Sequence, residues 1–218
     1  FGPTSDEYGF LHRGTRVRKM PSSYRSTFRT IGDTPVATIT RKGVTPIKKI
    51  YNPRRKDRNV TILPYFEEKV GMIYYYTNMN PDMIDSMVDN GYKGIVIIGT
   101  GLGHVNKPLY PAIERATKKG VAIYMTVQTI WGYVHMFVYD TGRDLMAKGV
   151  IPLENMIPET SYIKLGWALG QTNDLEKVKE IMLKPINDEI TQREPYNGYL
   201  IYQGGVSEVE DFIRKFRK

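Results

Sequence analysis

Between Lys93 and Asn106 the chain reads KGIVIIGTGLGHVN, and this stretch limits the possible folds more than any other. Ile95, Val96, Ile97 and Ile98 form a continuous β-branched run without polar alternation, the pattern of a strand buried on both faces of a parallel sheet. Glycines at 99, 101 and 103 follow, and Pro108 opens a helical pattern through Ala112, Ile113 and Ala116. At the carboxyl end of a parallel strand, glycines let backbone approach a ligand closely. The spacing stops short of GxGxxG, because Asn106 stands where the third glycine is required. A tight strand-to-helix turn is therefore expected ahead of a dinucleotide site.

The flanking segments repeat the alternation. KVGMIYYY, from Lys69, reads as a strand over 70–76. Asn80-Pro81-Asp82 reads as a helix start with proline at the first helical position, Met83, Ile84, Met87 and Val88 as its apolar face, and Asn90-Gly91 as its end. With a strand over 94–98, a helix over 108–119 and a strand over 121–127, the order is β-α-β-α-β, which predicts a parallel sheet with right-handed crossovers. After Gln128, TIWGYVHMFVYDTGRDLMAKGVI reads as a loop with a helix near Asp144 to Lys148. Pro158 opens an amphipathic helix with Tyr162, Leu165, Ala168 and Leu169 inward, and Asp174 opens another built on Val178, Ile181 and Met182. The tail carries a strand candidate, GYLIYQ, and a basic helix, SEVEDFIRKFRK, whose Ser207 and Glu210 make a capping box.

A chain of 218 residues, 41% hydrophobic, can bury a real core. No apolar run is long enough to cross a bilayer, and no basic-then-apolar leader is present, so the expected location is cytoplasmic, away from membranes. Without cysteine there are no disulfides, thiolate metal sites or thiol catalysis, and three histidines (His12, His104, His135) make a metal site improbable. Residues 1–68 carry 14 Lys and Arg against 6 Asp and Glu, whereas 69–218 carry 17 of each. The whole excess lies in the first part, where it suits either a polyanion such as RNA or a merely solvated surface.

That basic part is punctuated rather than periodic. YGFLH and TRV are short β-type pieces around Gly9 and Gly14. TRVRKMPSSYRSTF then packs Arg16, Arg18, Lys19 and Arg25 among Ser22, Ser23, Ser26 and Thr27. Such a mixture suits proton handling by a lysine whose pKa neighbouring cations depress, or phosphate binding, or a plain solvated loop, the last being the default on composition alone. From Ile31 to Pro64, prolines at 35, 46, 53 and 64 separate the apolar pieces VATI, VTPIKKI and VTILPYF, as in a linker with β pieces. Its most basic run, with Arg54, Arg55, Lys56 and Arg58 between Tyr51 and Tyr65, is a candidate nucleic-acid surface.

HRGTRVRKM (12–20), GYKGIVIIGTGLGHV (91–105), VYDTGRDLMAKGVI (138–151), PETSYIKLGWALGQT (158–172) and EITQRE (189–194) occur together in order. Collinear, they resemble the carboxyl-terminal half of the archaeal glutamyl-tRNA(Gln) amidotransferase D subunits, a branch of the L-asparaginase superfamily. The resemblance implies an α/β fold: residues 1–38 as the end of an amino-terminal asparaginase-like catalytic domain, 39–68 as linker, and 69–218 as a carboxyl-terminal asparaginase-like domain, a parallel sheet flanked by helices with a basic helical tail. It also implies glutamine or asparagine hydrolysis by a threonine nucleophile, with a second Thr, an Asp and a Lys handling protons. Lys19 in RVRKM falls on the catalytic lysine. TGGT-type and HGTDT-type patterns are absent from the 218 residues and are expected upstream of Phe1, as for a fragment.

Further implications concern partners. The upstream half of the same fold and a homodimer would complete the site, with Thr77 and Asn78 reaching the neighbouring copy's active site. A tRNA-binding partner protein would make most of the contacts to tRNA(Gln) and hold ATP and Mg, leaving no cofactor in this chain. Three positions depart from the family pattern: Pro21 replaces a usual His, and Tyr133 and His135 stand where Arg and Asn or Asp are commoner. Asn78 also reads simply as a turn residue before Pro81. A free-standing L-asparaginase and a noncatalytic RNA-binding or assembly module are the competing functions.

Overall fold

A computed structural model describes residues 7–23, 25–47 and 59–195. These divide into two compact units, one running to Val60 and resumed from Thr191, the other spanning Thr61–Ile190. The cluster Arg54, Arg55, Lys56 and Arg58, the GYLIYQ strand and the capping-box helix lie outside the described residues.

Among the described residues the first unit holds five short strands: β1 (Tyr8–Leu11), β2 (Val17–Lys19), β3 (Phe28–Thr30), β4 (Ala37–Thr40) and β5 (Gly43–Pro46). They form one antiparallel sheet in the order β1-β4-β5 and a separate β2-β3 pair. The VATI and VTP pieces thus build a hairpin around Arg41-Lys42, and the expected domain boundary at 38/39 falls within β4.

The second unit is a four-stranded parallel sheet, β6 (Val70–Tyr74), β7 (Gly94–Gly99), β8 (Ala122–Val127) and β9 (Ile151–Pro152), in that order. All six residues of β7 are buried, as are all six of β8. On one face Ile73, Ile95, Ile97, Ile123 and Met125 pack against Ile84 and Val88 of α1 (Asp82–Asp89), Ala112, Ile113 and Ala116 of α2 (Tyr110–Lys118) and Leu145 of α3 (Asp140–Ala147). On the other, Val70, Val96 and Tyr124 meet Leu165 and Ala168 of α4 (Pro158–Gln171) and Val178 and Met182 of α5 (Leu175–Leu183). This is the expected α/β architecture, with helices on both faces of a parallel sheet.

The helix starts follow local chemistry. The Asn80 side chain accepts from Asp82 N at 3.0 Å, so Asn80 caps α1 and Pro81 takes the first turn, where its missing N–H costs nothing. Asp174 caps α5 by accepting from Glu176 N and Lys177 N. α3 begins at Asp140, four residues before the expected Asp144. Gly142, a poor helix former, hides that start from the sequence, but a side chain there would strike the Met136 carbonyl. β9, two residues long, is too short to show a period.

VTILPYF is not a strand. It lies extended on α4, where a side chain at Gly170 would meet the Tyr65 carbonyl at 2.5 Å. Two of its carbonyls are bonded to the helix instead of to a ladder, Trp167 Nε1 donating to Leu63 O at 3.2 Å and Gln171 Nε2 to Tyr65 O at 2.7 Å, and just beyond it Glu67 N donates to Gly166 O at 2.9 Å. Among the described residues no helix is long and apolar enough to cross a membrane.

A buried ion pair ties α4 to the segment that follows α5. Lys164, 6% exposed, donates to Glu189 and to the carbonyls of Met182 (3.0 Å) and Lys184 (2.6 Å), which the end of α5 leaves open. Glu189, 2% exposed, also accepts from Ile186 N and Asn187 N. Burial pushes the Glu189 carboxyl up, but Lys164 and those two N–H groups outweigh it and hold the pKa below its ordinary value. Its contribution to stability is therefore full above the unfolded pKa and is lost as pH falls through the lower folded one.

Lys164→Met should destabilise the fold by about 3 kcal/mol or more in urea titrations at neutral pH, because a buried carboxylate loses its partner. Glu189→Gln should be less stable at neutral pH and should flatten the acid limb of the stability curve. Tyr124 gives the opposite case. It is fully buried, its hydroxyl has no partner among the described residues, and burial pushes its pKa up. Tyr124→Phe should raise stability by about 1 kcal/mol in the same titration, since it removes an unsatisfied donor and keeps the ring.

Candidate functional site

The carboxyl ends of β6, β7 and β8 open on one edge of the parallel sheet, where the chain leaves regular structure through unusual backbone. Asn78 (φ 61°) follows β6, Gly101 (φ 52°) and Gly103 (φ 101°) follow β7, and Ile130 (φ 54°) and Gly132 (φ 91°) follow β8. Non-glycine residues held in the left-handed region carry strain and concentrate at ligand sites. This edge is the candidate site.

After β6, Met79 N donates to Tyr76 O at 3.1 Å, closing a turn around Thr77 and Asn78. Positive φ at the third position is what a type II turn requires, and Asn tolerates it. Both apex residues are exposed, while Met79, only 2% exposed, plugs the turn into the core. β6 is shorter than the expected 70–76 because the ladder ends at Tyr74: Tyr75 N still reaches Ile98 O at 3.1 Å, and the turn begins at Tyr76.

The glycine loop after β7 closes on itself. Thr100 N donates to His104 O, while Gly103 N and His104 N donate to Thr100 O, each at 2.9 Å. These three N–H groups are satisfied inside the loop. A side chain at Gly103 would also meet Val134 Cγ1 at 2.7 Å. His104 ties the loop to α3 through Nδ1 and Thr141 Oγ1 at 3.1 Å, edge-on to Tyr139. Burial pushes its pKa down, against the opposing charge of Asp140.

After β8, Trp131 N donates to Thr129 O at 2.7 Å across Ile130, a γ-turn of the rare positive-φ kind centred on a buried β-branched residue. The loop beyond is pinned by His135 N to Leu102 O (3.0 Å), Val134 N to Glu154 O (2.9 Å) and Arg143 Nη1 to Phe137 O (2.8 Å). It presents Phe137, Val138 and Tyr139 to solvent, with the rings of Tyr133 and His135 5.8 Å apart. No three His, Asp or Glu side chains converge as metal ligands among the described residues.

Lys19 belongs to the other unit. It ends β2 opposite Phe28 and is exposed. Arg16, which the sequence shows only as part of a cation-rich loop, and Arg29, within β3, are both buried: Arg16 Nη1 reaches Ile31 O at 3.4 Å, and Arg29 Nη2 donates to Ser26 Oγ at 2.9 Å. His12 shares a hydrogen bond with Thr30 Oγ1 at 2.8 Å; burial, then nearby positive charge including Arg29, pushes its pKa down. Gln128 is a residue that sequence reasoning misses. Its side-chain Nε2 donates to both Tyr75 O and Ile98 O and so joins the ends of β6 and β7. The available signal is a single amide placed directly after a buried strand run.

Residues 69–182 match the glutaminase/asparaginase C-terminal domain. The chain is 48% identical to the D subunit of the glutamyl-tRNA(Gln) amidotransferase of Pyrococcus abyssi, over 91% of its own length and 45% of that protein. It is 46% identical to the D subunit of Thermococcus kodakarensis over the same shares. It thus spans a little under half the length of these relatives. Among solved structures, the thermostable L-asparaginase from T. kodakarensis superposes with a TM-score of 0.76 at 29% identity, over 84% of this chain and 55% of that one. The L-asparaginase I of Vibrio cholerae, at 24% identity and a TM-score of 0.74, shares the fold. A parallel sheet with a tight glycine turn after its central strand, matched over more than half the chain, places this protein in the glutaminase/asparaginase family, with archaeal amidotransferase D subunits among its relatives.

Proposed function

We propose that this chain is the carboxyl-terminal part of an amidohydrolase that hydrolyses glutamine and supplies the ammonia for converting Glu-tRNA(Gln) to Gln-tRNA(Gln). The observation that carries this reading is the collinear identity to D subunits over nine-tenths of the chain. The threonine nucleophile lies upstream of this sequence. Lys19 moves the proton, at the exposed end of a hairpin stiffened by Arg16 and Arg29. The Thr77–Asn78 turn serves the site of a second copy in a homodimer. A partner protein holds ATP, Mg and most of the tRNA, with Arg54, Arg55, Lys56 and Arg58 adding phosphate contacts, and the assembly is cytoplasmic. The likeness to a solved L-asparaginase supports a second reading, asparagine hydrolysis by a free-standing enzyme.

The chain alone should release no ammonia from glutamine, and adding the upstream half should restore release. Turnover by the chain alone would refute this division of labour. In the whole enzyme Lys19→Met should cut turnover by about two orders of magnitude or more, with an unchanged melting temperature, as for loss of a proton carrier. A wild-type rate would remove Lys19 from the mechanism; a lowered melting temperature would mark it as structural. Faster hydrolysis of asparagine than of glutamine would favour the second reading.

A further inference from the structure

We propose that Gln128 is a positioning residue whose side-chain amide holds the Thr77–Asn78 turn in the shape the active enzyme uses. The inference rests on the role proposed above for that turn. Tyr75 lies just beyond the last ladder residue of β6, and its carbonyl accepts from the Gln128 side chain. An amide nitrogen carries two hydrogens, and Gln128 Nε2 points them at Tyr75 O and Ile98 O, from two different strands. Two carbonyl targets fix which end of the amide faces them.

Gln128 is itself held on both sides. Its N–H donates to Gly99 O at 2.9 Å, extending the β7–β8 ladder by one residue, and the γ-turn at Ile130 reverses the chain immediately afterwards. On the far side of the Thr77–Asn78 turn, Met79 is buried and donates to Tyr76 O. The turn is thus fastened at Tyr75 and Met79, and only Tyr76, Thr77 and Asn78 between them are exposed. Asn78 keeps its left-handed conformation because both ends are fixed. Holding a contact residue to a fraction of an ångström requires such support from residues that do not touch the substrate.

The test uses the full-length glutamine-hydrolysing enzyme with Gln128→Met, which keeps the length and removes the donor, and Gln128→Glu, which sets oxygen against two carbonyls. In both, hydrogen exchange of the amides from Tyr76 to Met79 should speed up by about tenfold or more. KM for glutamine should rise by about tenfold, with a smaller fall in kcat. Asn78→Ala should raise KM without changing exchange at Gln128. Unchanged exchange over Tyr76 to Met79 in both Gln128 variants overturns the inference. Faster exchange with unchanged KM also overturns it; if Asn78→Ala too leaves KM unchanged, the failure lies in the role given to the turn and not in the clamp. Should neither variant fold, native-state exchange in the parent decides. Met79 and Gln128 amides opening as one unit support the clamp, and a turn that frays alone overturns it.

Discussion

Every residue from Gly94 to Gly99 is out of water, and a strand without a wet face must be covered from both sides. Its two neighbours supply the hydrogen-bonding partners, and five helices supply the cover, three on one face and two on the other. Parallel pairing also sends the chain back across a face after each of the first strands, so the carboxyl ends of β6, β7 and β8 share one edge. Burial of this one run therefore fixes where irregular backbone can gather. The Lys164–Glu189 pair serves the same layer arrangement from outside, closing the end of α5 against α4.

At the open edge the balance of forces changes. Three consecutive strand-to-loop transitions carry left-handed backbone, two of them on non-glycine residues, Asn78, which tolerates it, and Ile130, for which it is costly. Such conformations persist where surrounding bonds over-determine them. Here Gln128, Met79 and the internal hydrogen bonds of the glycine loop supply those bonds. The outcome is an edge that is rigid in its frame and exposed at Thr77, Asn78, Phe137 and Tyr139.

Much of the sheet is legible in the sequence because it obeys short-range rules. The Ile95–Ile98 run, Asn80-Pro81 and Asp174 each announce an element through local burial or capping chemistry. What stays hidden depends on distant partners. Gly142 masks the start of α3 because its reason for being glycine is a carbonyl six residues back. VTILPYF has the composition of a strand, and only the two glycines of α4 reveal that a helix receives it. The burial of Arg16 and the double reach of Gln128 to residues 53 and 30 positions away leave no periodic trace. Of the candidate residues, Lys19 and the Thr77–Asn78 turn come from resemblance; spacing alone leaves both as surface features.

The central claim is that this sheet edge completes an amidohydrolase site in concert with another copy. The most direct measurement is a crystal structure of the full-length enzyme, with its nucleophilic threonine replaced by alanine, soaked in glutamine. The expected result is glutamine within hydrogen-bonding distance of the Thr77–Asn78 turn of the neighbouring copy, with Lys19 beside the proton-handling group of its own copy. Glutamine bound where neither Lys19 nor that turn approaches, with the sheet edge facing bulk solvent, would contradict it.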